Sequence, residues 1–110
     1  MKYAQPRQVK SYMTSEGRVP FEEWMEELKD WKGKAAVKNR IRRLEQGNPG
    51  FNRWIGEGVL ELKIDVGPGY RVYYGEDGPT IVLLLCGGDK NTQEKDIKKA
   101  QEYWADYRRT

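Results

Sequence analysis

Seven consecutive residues, Thr80 to Cys86 (TIVLLLC), contain no charge and no alternation of apolar with polar side chains. A strand that reads this way is apolar on both faces and belongs in the centre of a sheet, packed on either side. The run breaks at Gly87 and Gly88 and is followed at once by Asp89 and Lys90, so a lysine stands where the most buried strand of the chain ends.

The rest of the sequence supplies what such a strand needs. Residues 8 to 14 (QVKSYMT) alternate weakly and carry β-formers, which predicts a short edge strand. Pro20, followed by Glu22 and Glu23, opens a helix whose Phe21, Trp24, Met25 and Leu28 share one face. A second helix is expected after Gly33, with Val37, Ile41 and Leu44 inward and Gly47 as its left-handed stop. The two read as a helical hairpin.

From Leu60 to Val66 the alternation is strict, with Leu60, Leu62, Ile64 and Val66 on one face and Glu61, Lys63 and Asp65 on the other. A three-residue turn at Gly67 to Gly69 then pairs Val66 with Tyr70, putting Asp65 opposite Arg71 and Lys63 opposite Tyr73. One sheet face would thus display Glu61, Lys63, Asp65, Arg71 and Tyr73 together. A last helix follows Asn91 or Thr92, with Ile97, Ala100, Trp104 and Tyr107 inward. The expectation is one α+β domain over residues 1–110, ordered β-α-α-β-β-β-α, with the hairpin on a small antiparallel sheet and a C-terminal helix.

Composition narrows the chemistry. The 110 residues include no histidine and a single cysteine, which excludes zinc sites, Ser-His-Asp triads and Cys-His pairs. Cys86 lies in the apolar run and reads as a core residue. No cofactor motif is present, and neither a signal segment nor an apolar stretch of membrane-spanning length occurs, so the cytoplasm is the default. A net charge of +3 is too small to mark a partner by itself, so local clustering has to do so. Lys34, Lys38 and Arg42 recur every four residues on the second helix, with Arg40 and Arg43 beside them, a stripe suited to RNA. Lys63, Arg71, Tyr73 and Lys90 form a second basic group suited to phosphate. Cleaving RNA also requires a base for a ribose 2′-OH, and a lysine serves only where burial or other cations depress its pKa from about 10.4.

The segment Gly56 to Ala100, with ELKID, GPGYRVYY and LLLCGGDK followed by TQ and DI, and RIRRLEQGN upstream, closely resembles the RelE/ParE-superfamily toxins, in particular the HigB-like addiction-module killer proteins. The resemblance implies the RelE-like toxin fold and the toxin half of a bacterial type II toxin-antitoxin pair. It implies a metal-independent endoribonuclease that cuts mRNA on the ribosome, neutralised by a small helix-turn-helix antitoxin. On the matching positions, Lys63 would activate the 2′-OH or bind phosphate, Arg71 would stabilise the scissile phosphate, and Lys90 would add a further cation. Glu61 departs from the pattern, standing where some ribosome-dependent relatives carry a lysine, and neither Tyr103 nor Tyr107 matches a C-terminal general acid. Some superfamily members instead poison DNA gyrase by binding alone, and a degenerate toxin kept as a binding module is a third alternative.

Overall fold

The computed structural model describes residues 5–110. β1 (Gln8–Ser11), α1 (Pro20–Glu27), α2 (Trp31–Glu45), β2 (Asn52–Gly56), β3 (Val59–Ile64), β4 (Tyr70–Asp77) and β5 (Ile81–Asp89) follow in order; a single 3-10 turn, Lys90–Thr92, then leads into α3 (Gln93–Arg109). The strands make one sheet in the order β1-β5-β4-β3-β2. The result is a compact α+β fold with a five-stranded mixed sheet and three helices.

Two expectations are corrected here. The sheet is not purely antiparallel, because β1 runs parallel to β5, with Val9 beside Val82 and Ser11 beside Leu84. It also has a fifth strand, β2, in a stretch that reads as turns. β2 is a short edge strand bracketed by Gly50 and Gly56, with Arg53 and Trp54 both exposed, so it carries no alternation to betray it.

β5 is covered on both sides, as its composition requires. Val82 and Leu84 join Phe21, Val37, Leu44 and Leu62 beneath α1 and α2. Leu83, Leu85 and Cys86 join Tyr73, Ala100 and Trp104 beneath α3. A register irregularity opposite Tyr73 and Tyr74 lets Leu85 and Cys86 both turn to the α3 side. Cys86 is buried as expected, and burial pushes its thiol up to about 12, so it remains a protonated core residue.

The glycine pair closing β5 is explained by space. A Cβ on Gly87 would overlap the indole of Trp24 on the α1 side, and one on Gly88 would overlap the Asp96 carboxylate and the Thr92 hydroxyl on the α3 side. α2 begins earlier than the sequence suggests. Asp30 caps it through the Gly33 N–H at 3.1 Å, and Gly33 sits within the first turn against the Tyr70 ring. Gly47, at φ 86, ends it in the left-handed conformation.

Gly87→Ala and Gly88→Ala are each expected to destabilise the fold by about 1–3 kcal/mol through overpacking, read as lower urea midpoints with unchanged slopes. Alkali should unfold the protein as well. Burial, with a hydrogen bond to Asp106 for Tyr12 and to Asp30 for Tyr70, pushes both phenols up to about 12, and burial beside Glu76 does the same for Tyr74. Because the unfolded phenol titrates near 10, their contribution is complete below that pH and is lost as pH rises toward 12. A stability profile measured by denaturant titration should therefore fall steeply in that alkaline window.

Candidate functional site

β3 and β4 pair with Ile64 opposite Tyr70, Lys63 opposite Arg71 and Glu61 opposite Tyr73. The expected register is therefore off by two residues, and the connecting loop spans residues 65–69 instead of three. Two backbone turns, Val66 N–H to Ile64 O at 3.0 Å and Gly69 N–H to Val66 O at 3.0 Å, take up the extra residues. A slide of two preserves the faces, so Glu61, Lys63, Arg71 and Tyr73 still share one side. Asp65 leaves the ladder altogether. Its carboxylate lies 3.9 Å from Lys63 Nζ, and the expected cross-strand pair with Arg71 does not form.

Nor is that face open to solvent. It carries the α3 layer, and Glu61, Tyr73 and Arg71 are buried, at 1%, 0% and 7% exposure. A carboxylate so deeply buried needs partners on every side. Glu61 accepts from Arg53 Nε at 2.8 Å and from Gln93 Nε2 at 3.0 Å, and Arg71 Nε approaches to 3.6 Å. Tyr73 packs beside Glu61, and among the described residues its hydroxyl has no hydrogen-bond partner of good geometry. Burial first, then the Glu61 charge, pushes that phenol far up, so it stays neutral. Direct RNA contact, expected of Tyr73 on a displayed face, is not open to a fully buried side chain.

Arg71 is thus held from behind by Glu61, and its Nη1 donates over a long 3.4 Å to Gly69 O. The guanidinium lines a cavity of about 270 Å³ together with Lys63, Asp65, the Gly67 to Gly69 loop and Lys90. The three residues expected to meet a phosphate are therefore brought to one place from three segments of chain. What draws Lys90 in is backbone: its N–H donates to Gly69 O at 3.1 Å, tying the end of β5 to the β3–β4 loop. Asp89, its neighbour, caps the 3-10 turn through the Asn91 N–H at 2.8 Å. The cavity wall carries three cations against one carboxylate, and that carboxylate is exposed.

The second basic group is elsewhere. α2 packs on the opposite side of the sheet, so Lys38 and Arg42, both exposed, and the half-buried Lys34 do not reach this cavity. Arg40 is not part of the stripe. Its guanidinium donates to Lys63 O at 2.7 Å, Pro49 O at 3.0 Å and Phe51 O at 2.9 Å, fastening the loop before β2 to β3. Its position, three after Val37 and four before Leu44, is the signal that it faces inward. Arg53 and Gln93, which hold Glu61, carried no such signal, since their partners come from other strands and helices. Among the described residues no group of three or more His, Cys, Asp or Glu is arranged to hold a metal ion, and no helix is long and apolar enough to cross a membrane.

Removing Glu61 should strand the buried Arg71 charge. Glu61→Ala is expected to lower stability by about 3–5 kcal/mol in urea unfolding. Arg53→Ala, which takes the nearest cation away from the buried Glu61 carboxylate, should cost about 1–3 kcal/mol.

No family model matches the chain. A protein of Haemophilus influenzae described as uncharacterized is 47% identical to it over 83 residues, covering 76% of this chain and 84% of that protein.

Proposed function

The chain belongs to the same family as this Haemophilus influenzae protein, and we propose that it is the toxin of a bacterial type II toxin-antitoxin pair, a metal-independent endoribonuclease that cuts mRNA on the ribosome. The observation that carries this reading is the convergence of Lys63, Arg71 and Lys90 on one solvent-open cavity. It agrees with the roles that the resemblance to RelE-like and HigB-like toxins implies for those residues.

The chemistry is intramolecular transesterification. A ribose 2′-oxygen attacks the adjacent phosphorus, the 2′ proton leaves, the bond from phosphorus to the 5′-oxygen breaks, and the departing oxygen takes up a proton. Charge grows on the non-bridging oxygens, where preorganised cations stabilise it most. Arg71, braced by Glu61, offers a planar donor set to those oxygens, and Lys90 adds a second positive charge. Lys63, with 41% of its side chain exposed, supplies a third positive charge on the 2′-OH side. The α2 stripe of Lys34, Lys38 and Arg42 contacts ribosomal RNA, since it lies outside the cavity and is sequence-independent in character. A small helix-turn-helix antitoxin is the cognate partner, and the compartment is the cytoplasm.

Inducing the protein in bacteria should arrest growth and produce translation-dependent cuts in a reporter mRNA, mapped by primer extension. Lys90→Ala, an exposed substitution that leaves the core intact, and Arg71→Ala should each reduce cutting about a hundredfold. Growth arrest with intact mRNA and inhibited supercoiling would establish a gyrase-binding toxin in its place, and absence of any arrest would point to a degenerate binding module.

A further inference from the structure

A second cavity, of about 300 Å³, adjoins the first and is lined by Phe51, Arg53, Glu61, Lys63, Arg71 and Gln93. Lys63 and Arg71 line both, so the two cavities are neighbours that share a wall. The two differ in chemistry. One is a glycine loop with three cations, whereas the other ends at an aromatic ring.

Phe51 precedes β2 and keeps 65% of its surface exposed, although Arg40 fixes its backbone through the carbonyl at 2.9 Å. A lone exposed phenyl is ordinary on a protein surface. One held on a fastened backbone at the rim of a cationic depression is a platform on which a nucleobase stacks while its phosphate meets the cations. Gln93 lines this second cavity as well. Because a carboxylate only accepts, the amide nitrogen is the atom that faces Glu61 at 3.0 Å, and the Oε1 acceptor remains for a ligand. Arg53 is anchored to Glu61 through Nε at 2.8 Å, leaving its outer nitrogens on the same wall.

We infer that this second cavity is a nucleobase subsite for single-stranded RNA, in which a base stacks on Phe51 and presents an exocyclic amine to Gln93 Oε1. The inference rests on the reading of the protein as an RNA-cleaving toxin and names what that site takes. A base within a duplex cannot enter, because it must leave its stack to reach the ring. Adenine, cytosine and guanine each carry an exocyclic amine, and uracil carries none. Uracil turns a carbonyl toward Oε1 instead, so adenine should be preferred to uracil at this position.

The test is a fluorescence-anisotropy titration with short, labelled 2′-O-methyl oligonucleotides: oligo(A), oligo(U) and an abasic chain with the same number of phosphates. Wild type should bind oligo(A) more tightly than oligo(U). Phe51→Ala should weaken oligo(A) binding about tenfold or more while leaving the abasic chain unaffected, and Phe51→Trp should restore it. Lys90→Ala should weaken all three to the same extent. If Phe51→Ala binds oligo(A) as wild type does while Lys90→Ala loses it, the base subsite is wrong and the phosphate cavity stands. A preference for oligo(U) would overturn the assignment to Gln93. Failure of wild type to bind any of the three would remove the inference, whereas the reading on which it rests falls only if translation-dependent cuts are absent.

Discussion

Everything in this fold is arranged around one strand that has no solvent face. β5 is lined by Val82 and Leu84 on one side and Leu83 and Leu85 on the other, so the sheet must be the middle of three layers. The layers close tightly at its end, where Trp24 presses on Gly87 and Asp96 on Gly88. A side chain at Gly87 would displace the Trp24 indole, and one at Gly88 would displace the Asp96 carboxylate. That contact fixes where β5 stops and hence where Lys90 emerges, and the bond from Lys90 N–H to Gly69 O carries the lysine to the β3–β4 loop. The core constraint and the position of a surface charge are thus one geometric fact.

A similar economy governs the charges. Glu61 is buried, and a lone carboxylate there would be strongly unfavourable; with Arg53, Arg71 and Gln93 around it, it becomes the support that aims Arg71 at the cavity. Exposed pairs such as Lys63 with Asp65 at 3.9 Å contribute little to stability and leave the lysine free to meet a ligand. Buried Glu61 holds the site, Arg71 reaches the cavity from a largely buried position, and Lys63 and Lys90 add charge from the exposed rim.

The sequence made some of this legible and concealed the rest for physical reasons. Strong periodicity exposed β3, the inward face of α1 and the buried ridge of α2. The apolar run of β5 announced a central strand. The β3–β4 register escaped because a slide of two residues keeps every side chain on its face, and only backbone turns inside the loop distinguish the two pairings. The same alternation that revealed Glu61 and Tyr73 as one face could not say that α3 covers it, since a polar face beneath a helix looks like a polar face beneath water. β2 lacks alternation because it is an edge, and Arg40 hid among neighbouring arginines that do face solvent. Of the candidate site, Lys63, Arg71 and Lys90 lie together, Tyr73 lies beneath them, and the Lys38 and Arg42 stripe is on another layer.

The central claim is that one cavity, at the junction of the β3–β4 loop and the end of β5, receives an RNA phosphate. A crystal structure of the protein with a non-cleavable 2′-O-methyl trinucleotide tests it most directly. The account predicts a phosphate in hydrogen-bonding contact with the Arg71 guanidinium, with Lys63 and Lys90 on either side. An oligonucleotide lying along Lys38 and Arg42 of α2, with the cavity free of phosphate, would contradict it.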